Sequence, residues 1–269
     1  MGTLDAILTR RTFLLRAGHG TIALAVVGIA GCAPAGSGGG ATVSAAAGPT
    51  SGASGDATPS GASAAPSASA SGGGGAGTWQ RVDLGFVSAY VFLRAGEAAV
   101  VDTGTPGSEG AIEAVLGTLG VGWDAVGHVI LTHLHQDHAG AAAAVLTAAP
   151  DATGYAGEPD LAGIAAPRPL TAVADGDRVF DLRIVATPGH TPGSISILDE
   201  TGSVLVAGDA LRTDGDAPAL PSPEFTEDMD VAAQSVTMLG GLPFETLYVG
   251  HGAPIESGAA AQVAALAAG

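Results

Sequence analysis

The run Thr132-His133-Leu134-His135-Gln136-Asp137-His138 constrains this chain more than any other feature. It follows directly on the apolar segment Ala125–Leu131, which reads as a buried strand. His133 and His135 are two residues apart, so in extended backbone they point to the same side. Asp137 and His138 then begin a helix and are aimed differently. One short segment therefore offers two imidazoles to one metal ion, and a carboxylate plus an imidazole to another. A single histidine is an ordinary core or surface residue. Three histidines and an aspartate within six residues, at a switch from strand to helix, are a metal-binding pattern.

Further donors lie downstream. His190 sits in the turn-rich segment Ala186-Thr187-Pro188-Gly189-His190-Thr191-Pro192-Gly193. Asp209 follows the strand-like Val204-Leu205-Val206-Ala207-Gly208, and His251 lies in Gly250-His251-Gly252 after a last strand. Each comes just after a strand and has glycine beside it, which permits close backbone approach. Taken singly each reads as a loop residue; together with the histidine-rich run they complete a donor set. Nitrogen and oxygen donors suit zinc at about 2.0–2.2 Å, and iron or manganese share the same ligand types.

The surrounding pattern is mixed. Strands are predicted at 86–93, 97–102, 125–131, 179–186, 194–198, 203–207 and 246–249. Helices are predicted at 108–119, 137–149 (ended by Pro150), 226–239 and 258–268. Glu227, Asp228 and Asp230 give the third helix an acidic first turn, which suits the positive end of the helix dipole. Tyr90, Tyr155, Tyr248 and Trp123 read as core residues, and His128 as a strand residue outside the donor set. Thr213 to Pro223 reads as a loop. Strands mixed with helices imply an α/β fold of sheets covered by helices.

Composition narrows the partners. The chain has no lysine, nine arginines and a formal charge of −17. Nucleic-acid binding needs a basic footprint, so no nucleic-acid partner is expected. The one cysteine, Cys32, excludes an internal disulfide framework and a cysteine-based zinc finger.

The first 77 residues read as an address and a tether. Thr9-Arg10-Arg11-Thr12-Phe13-Leu14-Leu15 resembles a twin-arginine export signal. The apolar stretch from Thr21 to Ala30 has the length of a signal-peptide core and is too short to span a bilayer. It ends in Ile29-Ala30-Gly31-Cys32, which resembles a bacterial lipobox in which Cys32 is lipidated; ordinary cleavage after Ala35 is the alternative. Residues 1–31 are thus read as a signal peptide. Residues 32–77, almost wholly Ala, Gly, Ser, Thr and Pro, are read as a disordered tether with too little apolar surface to fold. Residues 78–269 form the folded domain. The expectation is an exported protein held to the outer face of a membrane by a lipid at Cys32, or released outside the cell.

On these motifs the domain resembles the metallo-β-lactamase superfamily over about residues 79–256. The likeness is carried by Val101-Asp102-Thr103-Gly104, the His-x-His-x-Asp-His run, His190, Gly208-Asp209-Ala210 and Gly250-His251-Gly252. It implies an αββα sandwich with the site along one edge of the two sheets. By the same likeness His133, His135 and His190 hold one metal ion, Asp137, His138 and His251 hold a second, and Asp209 bridges them. Asp102 then supports the ligand loop from behind.

A full ligand set implies a hydrolase with two divalent ions, zinc first, that directs metal-activated hydroxide onto a small ester, lactone or amide. Asp137 would orient the nucleophile and pass a proton to the leaving group. Asp209 weighs against a true β-lactamase, which usually lacks a bridging aspartate, and glyoxalase II-like thioesterases carry an extra helical domain. Arg212 stands where lactonases commonly have tyrosine. It is read either as the partner of a substrate carboxylate or as a surface ion pair with Asp214 or Asp216. The alternatives to the small-ester reading are a β-lactamase or thioesterase, and a non-catalytic surface lipoprotein that uses the fold to bind metal or ligand.

Overall fold

The computed structural model describes residues 77–269. The expected signal peptide, Cys32 and all of the tether but Gly77 lie outside the described residues. Among the described residues no helix is long and apolar enough to cross a membrane.

Two sheets face each other. The first has its strands in sequence order: β1 (Thr78–Asp83), β2 (Ser88–Arg94), β3 (Glu97–Val101), β4 (Val126–Ile130), β5 (Thr153–Gly157) and β6 (Thr171–Val173). β1 to β3 pair antiparallel; β3 to β6 pair parallel. The second sheet is built from β7 (Arg178–Val179), β8 (Leu182–Ala186), β9 (Ile195–Asp199), β10 (Val204–Val206) and β13 (Thr246–Tyr248), in the order β13-β10-β9-β8-β7. A small hairpin of β11 (Arg212–Asp214) and β12 (Ala217–Ala219) lies between β10 and β13 in the chain.

The period-2 alternation of strands explains the layering. Tyr90, Phe92, Ala99, Val101 and Ile130 point inward from the first sheet to meet Ile184, Ile195, Ile197, Val204 and Val206 of the second. Ala89, Val91, Val100 and Val129 point outward onto α1 (Glu109–Thr118), α2 (Gln136–Ala139) and α3 (Ala142–Ala148), where Ile112, Leu116, Val145 and Leu146 cover them. On the far side Val185, Leu198, Leu205 and Leu247 pack under Val236, Leu239 and Val263 of α4 (Met229–Leu239) and α5 (Ala259–Ala268). Three apolar interfaces, helix on sheet, sheet on sheet and sheet on helix, make the αββα sandwich. Tyr90, Tyr155, Tyr248 and Trp123 all belong to these cores or pack against them.

Several elements differ from the sequence reading, each for a local reason. The helix expected over 137–149 is two helices. The loop after β3 intervenes: the Thr103 and Gly104 amides and the Thr103 hydroxyl all donate to the His138 carbonyl, and the Ala141 amide donates to the Gly104 carbonyl. The strand expected over 179–186 is a hairpin, because Phe180 and Asp181 adopt φ of 53° and 62° and turn the chain. The third helix starts later than expected. Asp228 is its N-cap, accepting from the Asp230 and Val231 amides, so Glu227 lies outside it. The loop expected over 213–223 contains the β11–β12 hairpin. β1, β5 and β6 lack a readable apolar run and were not expected.

Candidate metal centre

Each donor predicted from the sequence sits just past the C-terminal end of a strand, at one edge of the sandwich. His133 and His135 follow β4, His190 follows β8, Asp209 follows β10 and His251 follows β13. His135 is the extended residue that caps α2, with φ −62° and ψ 148°, so Asp137 and His138 fall on the first helical turn and turn to a second position.

The imidazoles converge. His135 Nδ1 lies 3.1 Å from His133 Nε2 and 3.0 Å from His190 Nε2. Beside them, Asp137, His138 and His251 bring one donor atom each within 4.8 Å of one another. Asp209 stands between the sets. Its Oδ2 is 3.5 Å from His190 Nε2 and 3.2 Å from His251 Nε2, and its Oδ1 is 3.2 Å from His138 Nε2. The structure thus brings together all seven predicted donors.

In four of the five rings the nitrogen that faces away is anchored, and this places a proton on it. Thr132 Oγ1 donates to Asp102 Oδ2, so it accepts from His133 Nδ1 at 3.0 Å. Thr226 Oγ1 donates to the Ser222 carbonyl, so it accepts from His190 Nδ1 at 3.1 Å. His138 Nδ1 donates to Asp102 Oδ2 at 2.8 Å, and His251 Nδ1 to the Phe86 carbonyl at 2.8 Å. With the proton on Nδ1, His133 and His190 turn bare Nε2 lone pairs inward, while the Nε2 atoms of His138 and His251 face the carboxylates of Asp137 and Asp209, from which a metal ion would displace the shared proton. Outward hydrogen bonds of this kind orient metal-ligating histidines.

Electrostatics agrees with a cation site. Burial pushes His133 well below the ordinary histidine range and His190 down to about 4, so both rings are neutral. Burial works the other way on Asp209, yet the adjacent His138 holds its carboxyl well below the usual range. His138 is pulled up by Asp209 and Asp102 against its burial, and hydrogen bonds to Asp137 and Asp209 push His251 up to about 10. The hydrogen bond from His251 in turn lowers Asp137. Asp209 Oδ1 is buried without a hydrogen-bond donor, although His138 Nε2 is close. Bare imidazole nitrogens 3.0–3.1 Å apart and an orphaned carboxylate oxygen fit divalent ions. Two nitrogens at about 2.0–2.1 Å from one tetrahedral zinc lie roughly 3.3 Å apart.

Asp102 lies behind the centre. It adopts a left-handed φ of 60° and accepts from the Thr132 amide, the Thr132 hydroxyl and His138. In front lies a cavity of about 550 Å³, within the usual range for small-molecule sites. His135, Asp137, His251, Arg212, Phe86 and Phe225 are among the residues that line it. Of these lining residues, Arg212 lies 3.9 Å from Asp214, and its Nε is buried without a hydrogen-bond partner. Sequence reading missed Phe86, Phe225 and Thr226. The two phenyl rings are 64% and 65% exposed at the cavity wall, and Phe86 also stacks on His251. The available signal was an aromatic residue within a Gly- or Pro-rich loop, at 84–87 and 221–225.

Residues 82–251 match the metallo-beta-lactamase superfamily. The chain is similar to an uncharacterized Bacillus subtilis (strain 168) protein, YobT, with 29% identity over 201 residues, or 64% of this chain and 85% of YobT. It is 45% identical over 82 residues to the protein named Probable metallo-hydrolase YflN of the same organism, which covers 26% of this chain and 31% of YflN. Among solved structures it resembles the metallo-beta-lactamase family protein TTHA1429 of Thermus thermophilus. The TM-score is 0.58 at 26% identity, over 71% of this chain and 78% of that one.

Proposed function

The chain belongs to the metallo-beta-lactamase superfamily, whose members include metallo-hydrolases, and on that premise we propose that it is a dinuclear zinc hydrolase of a small ester, lactone or amide. The observation that carries the reading is the convergence of seven donors with four outward-anchored imidazoles. His133, His135 and His190 would hold one ion, Asp137, His138 and His251 the other, and Asp209 both. Bound there, the ions would supply an activated water nucleophile and charge stabilisation for the substrate oxygen.

The chain's own residues do the rest. Asp137, partly exposed in the cavity, accepts the proton of the attacking water at its carboxylate and delivers it to the leaving group. Phe86 and Phe225 receive the apolar part of the substrate and exclude water from it. Arg212, which lines the cavity, offers its guanidinium to a substrate carboxylate, since arginine pairs well with planar anions. The acidity of the whole chain disfavours polyanionic substrates. The twin-arginine-like signal and the lipobox cysteine, Cys32, support export and a lipid anchor, with the activity outside the cytoplasm.

Metal analysis followed by a panel of lactones, nitrophenyl esters, thioesters, β-lactams and phosphodiesters tests the reading. Chelator-sensitive turnover of lactones or esters supports it. Two bound ions with no turnover of any substrate would instead support a binding protein.

A further inference from the structure

A second buried carboxylate, Asp160, holds loops of the centre through Leu134, Thr191 and Gly193, which Asp102 does not touch. Asp160 follows β5 in a 3-10 turn, Glu158–Gly163, and is fully buried. Its Oδ2 accepts from the Leu134 amide at 2.9 Å and from the Thr191 hydroxyl at 2.7 Å; its Oδ1 accepts from the Gly193 amide at 2.8 Å. Leu134 is the residue between His133 and His135. Thr191 directly follows His190, and Gly193 is three residues beyond it. One side chain therefore ties the two loops that carry all three members of the three-histidine set. None of its donors belongs to the loops of Asp137, His138 or His251 beyond the shared β4–α2 segment.

The surroundings are shaped for this contact. A Cβ on Gly193 would lie 2.5 Å from Asp160 Cγ and Oδ1, and a Cβ on Gly157 would lie 2.1 Å from the Gly193 carbonyl oxygen. Both glycines are what let the His190 loop close down onto the Asp160 turn. Among the described residues no arginine or histidine forms an ion pair with Asp160. Its charge is met by neutral N–H and O–H groups alone, and those groups are the backbone and side chain of the ligand loops.

We propose that Asp160 is the positioning residue of the three-histidine half of the centre, setting the separation of His190 from His133 and His135. This rests on the metal reading given above. Its consequence is selective: loss of Asp160 loosens one metal site and spares the other, whereas loss of a purely structural residue would loosen both.

The test is a zinc titration of the full-length chain against a chromophoric chelator, resolving two dissociation constants. His190→Ala and His251→Ala assign the two steps. Asp160→Asn keeps the size but turns an amide donor toward groups that must donate. It is expected to weaken the three-histidine step about tenfold to a hundredfold and the other step by less than about threefold. Thr191→Val removes only one donor, so it reports on the same link even if Asp160→Asn fails to fold, with a weakening of about threefold to tenfold in the same step. Hydrogen exchange in the zinc-free chain should quicken at the Leu134 and Gly193 amides in Asp160→Asn. Equal weakening of both steps, or no weakening in a folded variant, overturns this inference while the metal reading stands. A wild-type chain that binds no zinc overturns both.

Discussion

Gly250 offers the sharpest perturbation of the centre, because a single methyl group there has nowhere to go. Its backbone is not among those with positive φ, so alanine brings no conformational strain. A Cβ at this position would instead lie 2.2 Å from Asp209 Oδ1 and 2.4 Å from His138 Cε1. Ordinary contact starts near 3.4 Å, so the pair must give way by about 1 Å. His138 is fully buried and pinned by Asp102. Asp209 is the donor common to both halves of the centre. A ligand displacement of that size far exceeds the tolerance of roughly 0.2 Å in metal–ligand distances. Zinc affinity in Gly250→Ala should fall at least about tenfold to a hundredfold, or about 1.4–2.7 kcal/mol. The metal-free fold should lose about 1–3 kcal/mol through overpacking. Chelator competition measures the first quantity and denaturant unfolding of the zinc-free protein the second. If Gly250→Ala binds two zinc ions within threefold of wild type, the close packing of strand end against donor set described above is wrong.

Asp209→Ala should lower bound metal from about two ions per chain toward one, with a larger fall in kcat than rise in KM; plasma mass spectrometry showing unchanged stoichiometry would remove its bridging role. Tyr90 is buried and donates to the Val249 carbonyl at 2.8 Å, and burial raises its phenol above the ordinary 10. The native state therefore keeps that proton where the unfolded chain loses it, so the contribution is complete below pH 10 and declines as pH rises beyond it. Tyr90→Phe should cost about 1 kcal/mol at pH 7 and flatten the alkaline decline, both read by denaturant unfolding across pH. Gly117→Ala, on the exposed face of α1 with nothing within 4 Å of the new Cβ, should stabilise by about 0.5–1 kcal/mol, and a lower melting temperature would count against that helix.

Much of the centre was legible because its donors are local signals. His190, Asp209 and His251 each follow an apolar run and have glycine beside them, and the His-x-His-x-Asp-His spacing already separates two directions of approach. The strands Ser88–Arg94, Glu97–Val101 and Val126–Ile130 were legible from their apolar stretches, such as 89–93 and 98–101, which are largely buried on both faces. What escaped was set by contacts between distant segments. Nothing local in Ala139-Gly140-Ala141 says that the Asp102–Gly104 loop will take the His138 carbonyl. Asp160 looks like any acid in a turn until Leu134, Thr191 and Gly193 are brought to it. Thr153–Gly157 is a strand only because β4 and β6 flank it, its own residues being small and weakly apolar.

The acidity of this chain acquires a local meaning at the centre. Asp102, Asp137, Asp160 and Asp209 all lie within it or hydrogen-bond directly to its loops. No lysine exists to balance them, and Arg212 is the one arginine lining the cavity. Without metal, His138 and His251 hold protons against these carboxylates, and two divalent ions would displace those protons and cancel the four negative charges. The ions would therefore complete the electrostatics of the fold as well as its chemistry, so zinc loading should raise the melting temperature rather than leave it unchanged. The loaded centre would then be near neutral, with Arg212 left over. That surplus favours a substrate bearing one negative charge, held against a surface whose overall charge repels a polyanion. Zinc that binds without raising the melting temperature would show that the carboxylates are balanced some other way, and the charge argument for a monoanionic substrate would fall with it.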